Sequence, residues 1–280
     1  MVDYQVAKKE GYEMDKIGFA KIDITPDFPV DLYNHCKRYK NINDVLDPIY
    51  AKCLTLDGLS IISVDLLYVP NSLYSWAKDQ TSRDLILNAS HAHATPDMKN
   101  EEYISFLKRK LRSLLFMATE QSLGQVYYGE SECYLNINRR MKIHRFNNIR
   151  KWKFKKTIEV RPNPAGPVDR TVRVIKIVRP SLDTIYVINY SCHATMWHGA
   201  SISSDWPGRI KVDGEVMFLQ GFSGNLIPNN IKTDTTWKDK IVEFVEGTPD
   251  FKKHGCTELD MVRAANDVSR SINNVEYKRI

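Results

Sequence analysis

Two apolar runs, Ala51–Leu56 and Ser60–Leu67, flank the dipeptide Asp57-Gly58, and this arrangement signals a β-hairpin early in the chain. A two-residue turn joins antiparallel strands only, because parallel neighbours need a long crossover. The runs on either side, Ile17–Ile24 closed by Thr25-Pro26 and Leu85–Ala89, are equally short and β-like. From about Glu101 to Gln121 the spacing changes. Ile104, Leu107, Leu111, Leu114, Leu115 and Ala118 recur every three or four residues, which predicts a helix, with Gly124 as its stop. Gln125–Tyr128, Val172–Val178, Thr184–Tyr190 and Val216–Gln220 then carry strand-like density of β-branched and aromatic residues. A last helix is expected over Glu258–Ile272, capped by Thr257-x-x-Asp260, with Leu259, Val262, Ala265, Val268 and Ile272 on one face. A hairpin and long crossovers in one chain argue against a regular doubly wound sheet. The expectation is an α/β fold, a mixed sheet core flanked by helices, in a single domain over 1–280.

Composition narrows the function classes. The chain is 42% hydrophobic and 26% charged, which is ordinary for a globular protein. No apolar run approaches the roughly 20 residues of a membrane span. Met1–Glu10 has no apolar core of a secretory signal, and Cys36, Cys53, Cys133, Cys192 and Cys256 form no C-x-x-C pair. Reduced thiols and a cytoplasmic location are expected.

Lys and Arg outnumber Asp and Glu 40 to 34, and the excess is concentrated. Arg139, Arg140, Lys142, Arg145, Arg150, Lys151, Lys153, Lys155, Lys156 and Arg161 are opposed only by Glu159. Such a stretch reads as a solvated loop or edge ribbon, or as the rim of a site for an anionic ligand. Trp152 and Phe154 interleave with it, but no nucleic-acid-binding motif accompanies them, so nucleic acid is not the expected partner.

Histidine is scarce, at seven residues, and two of them lie in Ser90-His91-Ala92-His93-Ala94-Thr95-Pro96. On a strand, alternate residues share a face, so an H-x-H offers a metal two imidazoles, or one ligand and one acid–base group. The run Val187–Tyr190 leads likewise into Ser191-Cys192-His193. Two strands ending in histidine at one sheet edge would converge. Cys192, pointing opposite to His193, reads as a small buried hydrophobe. His198 and Asp205 follow, and either could complete a site, although Asp205 before Trp206-Pro207 also reads as a helix cap. Gly221-Phe222-Ser223-Gly224 falls one residue short of a G-x-S-x-G elbow, which weakens Ser223 as a nucleophile. The turn's N–H groups could instead hold an oxyanion.

Taken in order, these segments resemble the neutral/alkaline (non-lysosomal) ceramidase family. The resemblance is carried by Gly18-Phe19-Ala20-Lys21-Ile22-Asp23-Ile24-Thr25-Pro26, Asp47-Pro48-Ile49-Tyr50-Ala51-Lys52, Val64-Asp65 and His91-Ala92-His93-Ala94-Thr95-Pro96. It continues through Asn138-Arg139-Arg140, Asn163–Asp169, Cys192-His193-Ala194-Thr195, Ser204-Asp205-Trp206-Pro207-Gly208 and Gly224–Asn229. It implies a zinc-dependent amide hydrolase in which His91 and His193 ligate zinc. It also implies His93 beside the reacting group and Arg139 holding substrate or transition state. Two features depart from the family. The position of the family's catalytic serine is Ile227, with Asn225 two residues before it, and too little chain follows Pro228 for the family's later ligands and C-terminal domain. The chain therefore resembles a short relative, and ceramide itself is not the expected substrate.

The leading expectation is a zinc amidohydrolase or deacylase acting on a small N-acyl substrate, anionic if the basic stretch rims the site. Zinc on His91 and His193, with Asp205 third and His198 next, would bring its water's pKa to about 7. Arg139 would stabilise the oxyanion and His93 would act as general acid–base. The alternatives are a non-catalytic domain of this fold binding an acidic partner, and a metal-dependent phosphoester hydrolase.

Overall fold

The computed structural model describes residues 15–34, 37–119, 121–148, 153–180, 182–230, 236–237, 240–241, 251 and 256–280. Its elements are β1 (Asp15–Asp23), β2 (Val30–Asn34), β3 (Lys37–Ile42), β4 (Tyr50–Leu56), β5 (Leu59–Val64), α1 (Asn71–Lys78), β6 (Asp84–Ala89), α2 (Glu101–Met117) and β7 (Gln121–Glu132). There follow β8 (Asn136–Asn148), β9 (Lys153–Asn163), β10 (Thr171–Val178), β11 (Ile185–Tyr190), β12 (Glu215–Gln220), β13 (Leu226–Pro228), α3 (Glu258–Asn273) and β14 (Lys278–Arg279).

The expected hairpin is present. Asp57 (φ +42°) and Gly58 (φ +81°) both take the left-handed conformation that a tight turn between β4 and β5 requires. The main sheet runs β12-β11-β10-β7-β1-β4-β5-β6, with β14 added beside β7. β5 with β6 and β11 with β12 are parallel pairs, while the other pairs along the path are antiparallel. The sheet is mixed, as expected.

The path doubles back on itself. β7 gives its first residues, Gln121–Gly124, to β1 and its remaining ones to β10. The two halves then pack face to face through Ile17, Leu54, Val126, Ile177, Ile185, Val187 and Met217. One outer face is covered by α1 and α2 through Leu73, Ala77, Tyr103, Leu107, Leu111 and Leu114. Burying each of those leucines contributes about 1.5–3 kcal/mol. α3 covers the other face, laying Met261, Ala264, Ala265, Val268 and Ile272 on Val172, Val174, Ile188 and Phe218. The result is four layers, helix–sheet–sheet–helix.

Doubling back brings the end strands together. The Asn88 side chain accepts from Gln220 N at 2.8 Å and donates to Gln220 O at 3.3 Å, spanning β6 and β12 as a backbone pair would. The segments leaving β6, β11 and β12 therefore emerge side by side.

Two local expectations, the stop of α2 and the buried face of α3, are corrected. α2 ends at Met117, and Gly124 lies inside β7, where a Cβ would meet Ile17 Cδ1 at 2.9 Å; it is a close-approach strand glycine. Leu259 and Val262 are exposed, because the buried stripe of α3 starts at Met261. The basic stretch is largely a ribbon: β8 pairs antiparallel with β9 and, at its base, with β13. Arg150, Lys151 and Trp152, and the side chains of Arg145, Lys153, Phe154 and Lys155, lie outside the described residues. Cys53, Cys133, Cys192 and Cys256 are buried free thiols, and Cys36 lies outside the described residues. Among the described residues, no helix is long and apolar enough to cross a membrane.

Candidate metal centre

His91, His93 and His193 come together where the segments after β6 and β11 meet. Their possible ligand nitrogens all lie within 4.8 Å of one another. Neither the H-x-H nor His193 lies on a strand, contrary to expectation. β6 ends at Ala89 and β11 at Tyr190, so the histidines stand in the loops beyond. Strand alternation therefore cannot aim the two rings of the H-x-H. His91 instead takes φ +63°, a conformation uncommon outside glycine and concentrated at functional sites. Its ring centroid lies 4.6 Å from that of His193 and 5.0 Å from that of His93.

Backbone carbonyls fix the tautomers. His91 Nδ1 lies 2.8 Å from Leu67 O, and His193 Nδ1 lies 2.6 Å from Ser223 O and 3.0 Å from Leu226 O. A carbonyl oxygen can only accept, so both Nδ1 atoms carry the proton and both Nε2 atoms keep a lone pair. This is how ligand histidines are oriented from behind. Burial is the main cause holding both imidazoles below the usual range; Arg139 adds to it, and His193 is pushed down to about 4. Both rings are neutral at pH 7, as ligation requires.

The loops are tied to one another by their backbones. His93 N donates to Ala194 O, His193 N to Leu226 O, and Ser203 N to Ala94 O. Trp206 Nε1 donates to His193 O at 3.0 Å. Arg139, near the start of β8, donates from Nε and Nη2 to Gly224 O, at 3.2 and 2.8 Å, and its Nη2 lies 3.4 Å from His193 Nε2.

Asp205 lies outside this group. It is fully buried, with Oδ2 accepting from Met196 N and Trp197 N and Oδ1 from Trp206 N, each at 2.8 Å. Its carboxylate is spent on folding the loop that carries His193. His198 faces Thr195 O through Nε2 at 3.3 Å and is not in the group either. Ile227 packs with Ile137 and Phe251 in a small apolar cluster. The Gly221–Gly224 turn presents the carbonyls of Ser223 and Gly224 toward the site, and two of the N–H groups expected to hold an oxyanion are engaged within the fold. Gly221 N and Ser223 N are spent on Tyr190 O and Gly221 O. Ser223 contributes its backbone oxygen to His193.

No protein-family model matches the chain, and no curated protein does. Solved structures do. Neutral ceramidase from Pseudomonas aeruginosa superposes with a TM-score of 0.65 at 16% identity, over 94% of this chain and 44% of that one. The chain has the neutral ceramidase fold. A ceramidase complexed with C2 gives 0.66 at 17% identity, with the same coverage. The chain thus spans 44% of the length of these ceramidases.

The three histidines fit a divalent metal ion. Three imidazoles are a familiar catalytic zinc donor set. Two of the three have their outer nitrogens anchored and their inner ones available.

Two stability predictions follow from this geometry. Asp205→Asn leaves one side-chain oxygen to serve three N–H groups and turns an NH2 toward the rest. It is expected to lower stability by about 1–3 kcal/mol, the cost of an orphaned buried donor, without changing metal stoichiometry. Thermal melting and metal analysis check this, and loss of bound metal in a folded variant would make Asp205 a ligand. The second concerns pH in the metal-free protein. His193 takes its proton near 6.5 when unfolded and about 4 when folded. Its stabilisation is complete above about 6.5 and is lost as pH falls toward about 4, on the order of 3 kcal/mol. Burial pushes Asp205 up to about 6 from 3.8, so its contribution is complete below 3.8 and is lost as pH rises to about 6. The two trends oppose each other. His91, also held low by burial, adds to the His193 trend, so on acidification from pH 7 to 4 the urea midpoint should hold up better in His193→Gln than in wild type. Parallel curves for the two proteins would refute this.

Proposed function

We propose that this chain is a zinc-dependent hydrolase of amide C–N bonds in a small N-acyl substrate. The observation that carries the reading is the convergence of His91, His93 and His193, with Nε2 of His91 and His193 left as acceptors by carbonyls behind each ring. In this reading all three imidazoles hold the ion. That moves His93 from acid–base work to ligation and puts it in the place first expected of Asp205. A bound divalent ion supplies Lewis acidity and a lowered pKa for water.

The chain's own residues do the rest. Leu67 O, Ser223 O and Leu226 O keep protons on Nδ1 and so keep the ligating nitrogens basic. Arg139, always protonated, supplies N–H donors for the oxygen on which negative charge gathers when the amide carbonyl is attacked. In this reading Ser223 serves through its carbonyl, which orients His193, and not as a nucleophile.

The test is elemental analysis of protein prepared without chelators, followed by turnover of a panel of N-acyl amides with and without added zinc. Stoichiometric zinc and zinc-dependent amide cleavage are expected. Protein that takes up no divalent metal, or that cleaves amides equally well after chelation, would overturn the proposal.

A further inference from the structure

We infer that the Arg139 guanidinium and a metal ion are alternative partners of His193 Nε2, so that loading the site displaces Arg139 from the ligand and frees its Nη2 for another acceptor. The inference rests on the metal-dependent reading above.

Its basis is the hydrogen-bond inventory of His193. Nδ1 is committed to Ser223 O and Leu226 O, so the ring has one remaining acceptor, Nε2. That nitrogen has a single lone pair, which can meet an N–H or a metal but not both. The N–H that meets it is Arg139 Nη2, at 3.4 Å. Switching the tautomer offers no escape, because it would turn an Nδ1 lone pair toward two carbonyls. Arg139 offers none by deprotonation, because guanidinium stays charged in proteins. A divalent ion at Nε2 would therefore face both a competing donor and a positive charge.

The geometry also shows how the conflict resolves. Arg139 is tethered apart from His193: its backbone N donates to Asn225 O at 2.9 Å, and its Nε and Nη2 donate to Gly224 O at 3.2 and 2.8 Å. A small swing of the guanidinium can take Nη2 away from Nε2, already 3.4 Å off, while the bonds to Gly224 O and Asn225 O hold the side chain at the rim of the site. Its next acceptor would be an oxygen of the substrate, which makes this donor available only when metal is present. Such coupling would keep a metal-free site from gripping substrate unproductively.

The experiment measures zinc affinity by chelator competition in wild type, Arg139→Leu and Arg139→Gln, the last able to keep a bond to Gly224 O. Removing the cation and the competing donor should tighten zinc binding at least ~10-fold in both variants. A crystal structure of zinc-loaded wild-type protein should show Nη2 beyond hydrogen-bond distance of Nε2. Unchanged or weaker affinity in the folded variants, or an intact Nη2–Nε2 contact in the loaded wild type, overturns the inference while leaving the metal reading standing. Failure of wild type and both variants alike to bind zinc overturns both.

Discussion

His193→Ala is expected to reduce zinc affinity by at least ~10²-fold and to bring amide turnover to background. Losing an outer-shell partner of a ligand already costs about 10–100-fold, and here the ligand itself is lost. The effect should be steep because the ring is so completely specified. Its Nδ1–H bonds Ser223 O and Leu226 O, its backbone N–H bonds Leu226 O, and its carbonyl accepts from Trp206 Nε1. No neighbouring imidazole can swing in to replace it, since His91 is pinned to Leu67 O. His198→Ala is the matched comparison. It removes a histidine of the same loop that faces Thr195 O, and it should leave zinc affinity unchanged. Chelator competition on the two variants decides the matter. If His198→Ala loses the metal and His193→Ala keeps it, the assignment of the centre is wrong.

The sequence showed which loops mattered more clearly than how they work. Asp57-Gly58 announced its hairpin because a two-residue turn with both residues at positive φ leaves few alternatives. α3 was bounded nearly correctly because its cap is local: Thr257 and Asp260 bond each other's backbone N–H. Its buried face was not, since Leu259 and Val262 are as apolar as Met261 and only the sheet beneath chooses between them. α1 was illegible for a related reason. Eight residues after Pro70, with Leu73 and Ala77 buried, give a window too short for periodicity to show.

At the site, His91 and His193 could be picked out because histidine is rare and both follow strands. Their aiming could not. It depends on carbonyls of Leu67, Ser223 and Leu226, and a backbone oxygen carries no residue identity. A carboxylate near histidines reads as a ligand, which is why Asp205 stands out in the sequence, yet it lies outside the histidine group. Only the folded loop shows three N–H groups already on it. The bridge from Asn88 to Gln220 is invisible in the sequence, since it joins strands 132 positions apart.

Arg139→Ala should lower turnover by ~10²–10³, the scale of losing one oxyanion donor, with little change in melting temperature. Folding should tolerate the loss because the acceptor left behind, Gly224 O, belongs to an exposed residue that water can solvate. The backbone bond from Arg139 N to Asn225 O, which fixes β8 against the turn, survives any side-chain change. What disappears is a permanently charged donor within 3.4 Å of His193 Nε2, at the edge of the proposed reacting centre. The reduction should fall mainly on kcat rather than KM, because charge on the carbonyl oxygen is largest in the transition state. Zinc affinity should move the other way and increase. This opposition separates a donor role from a structural one, since an arginine that merely held the site together would, when removed, weaken metal binding and turnover alike. A variant that unfolds, or one that turns over at the wild-type rate, would remove Arg139 from the mechanism.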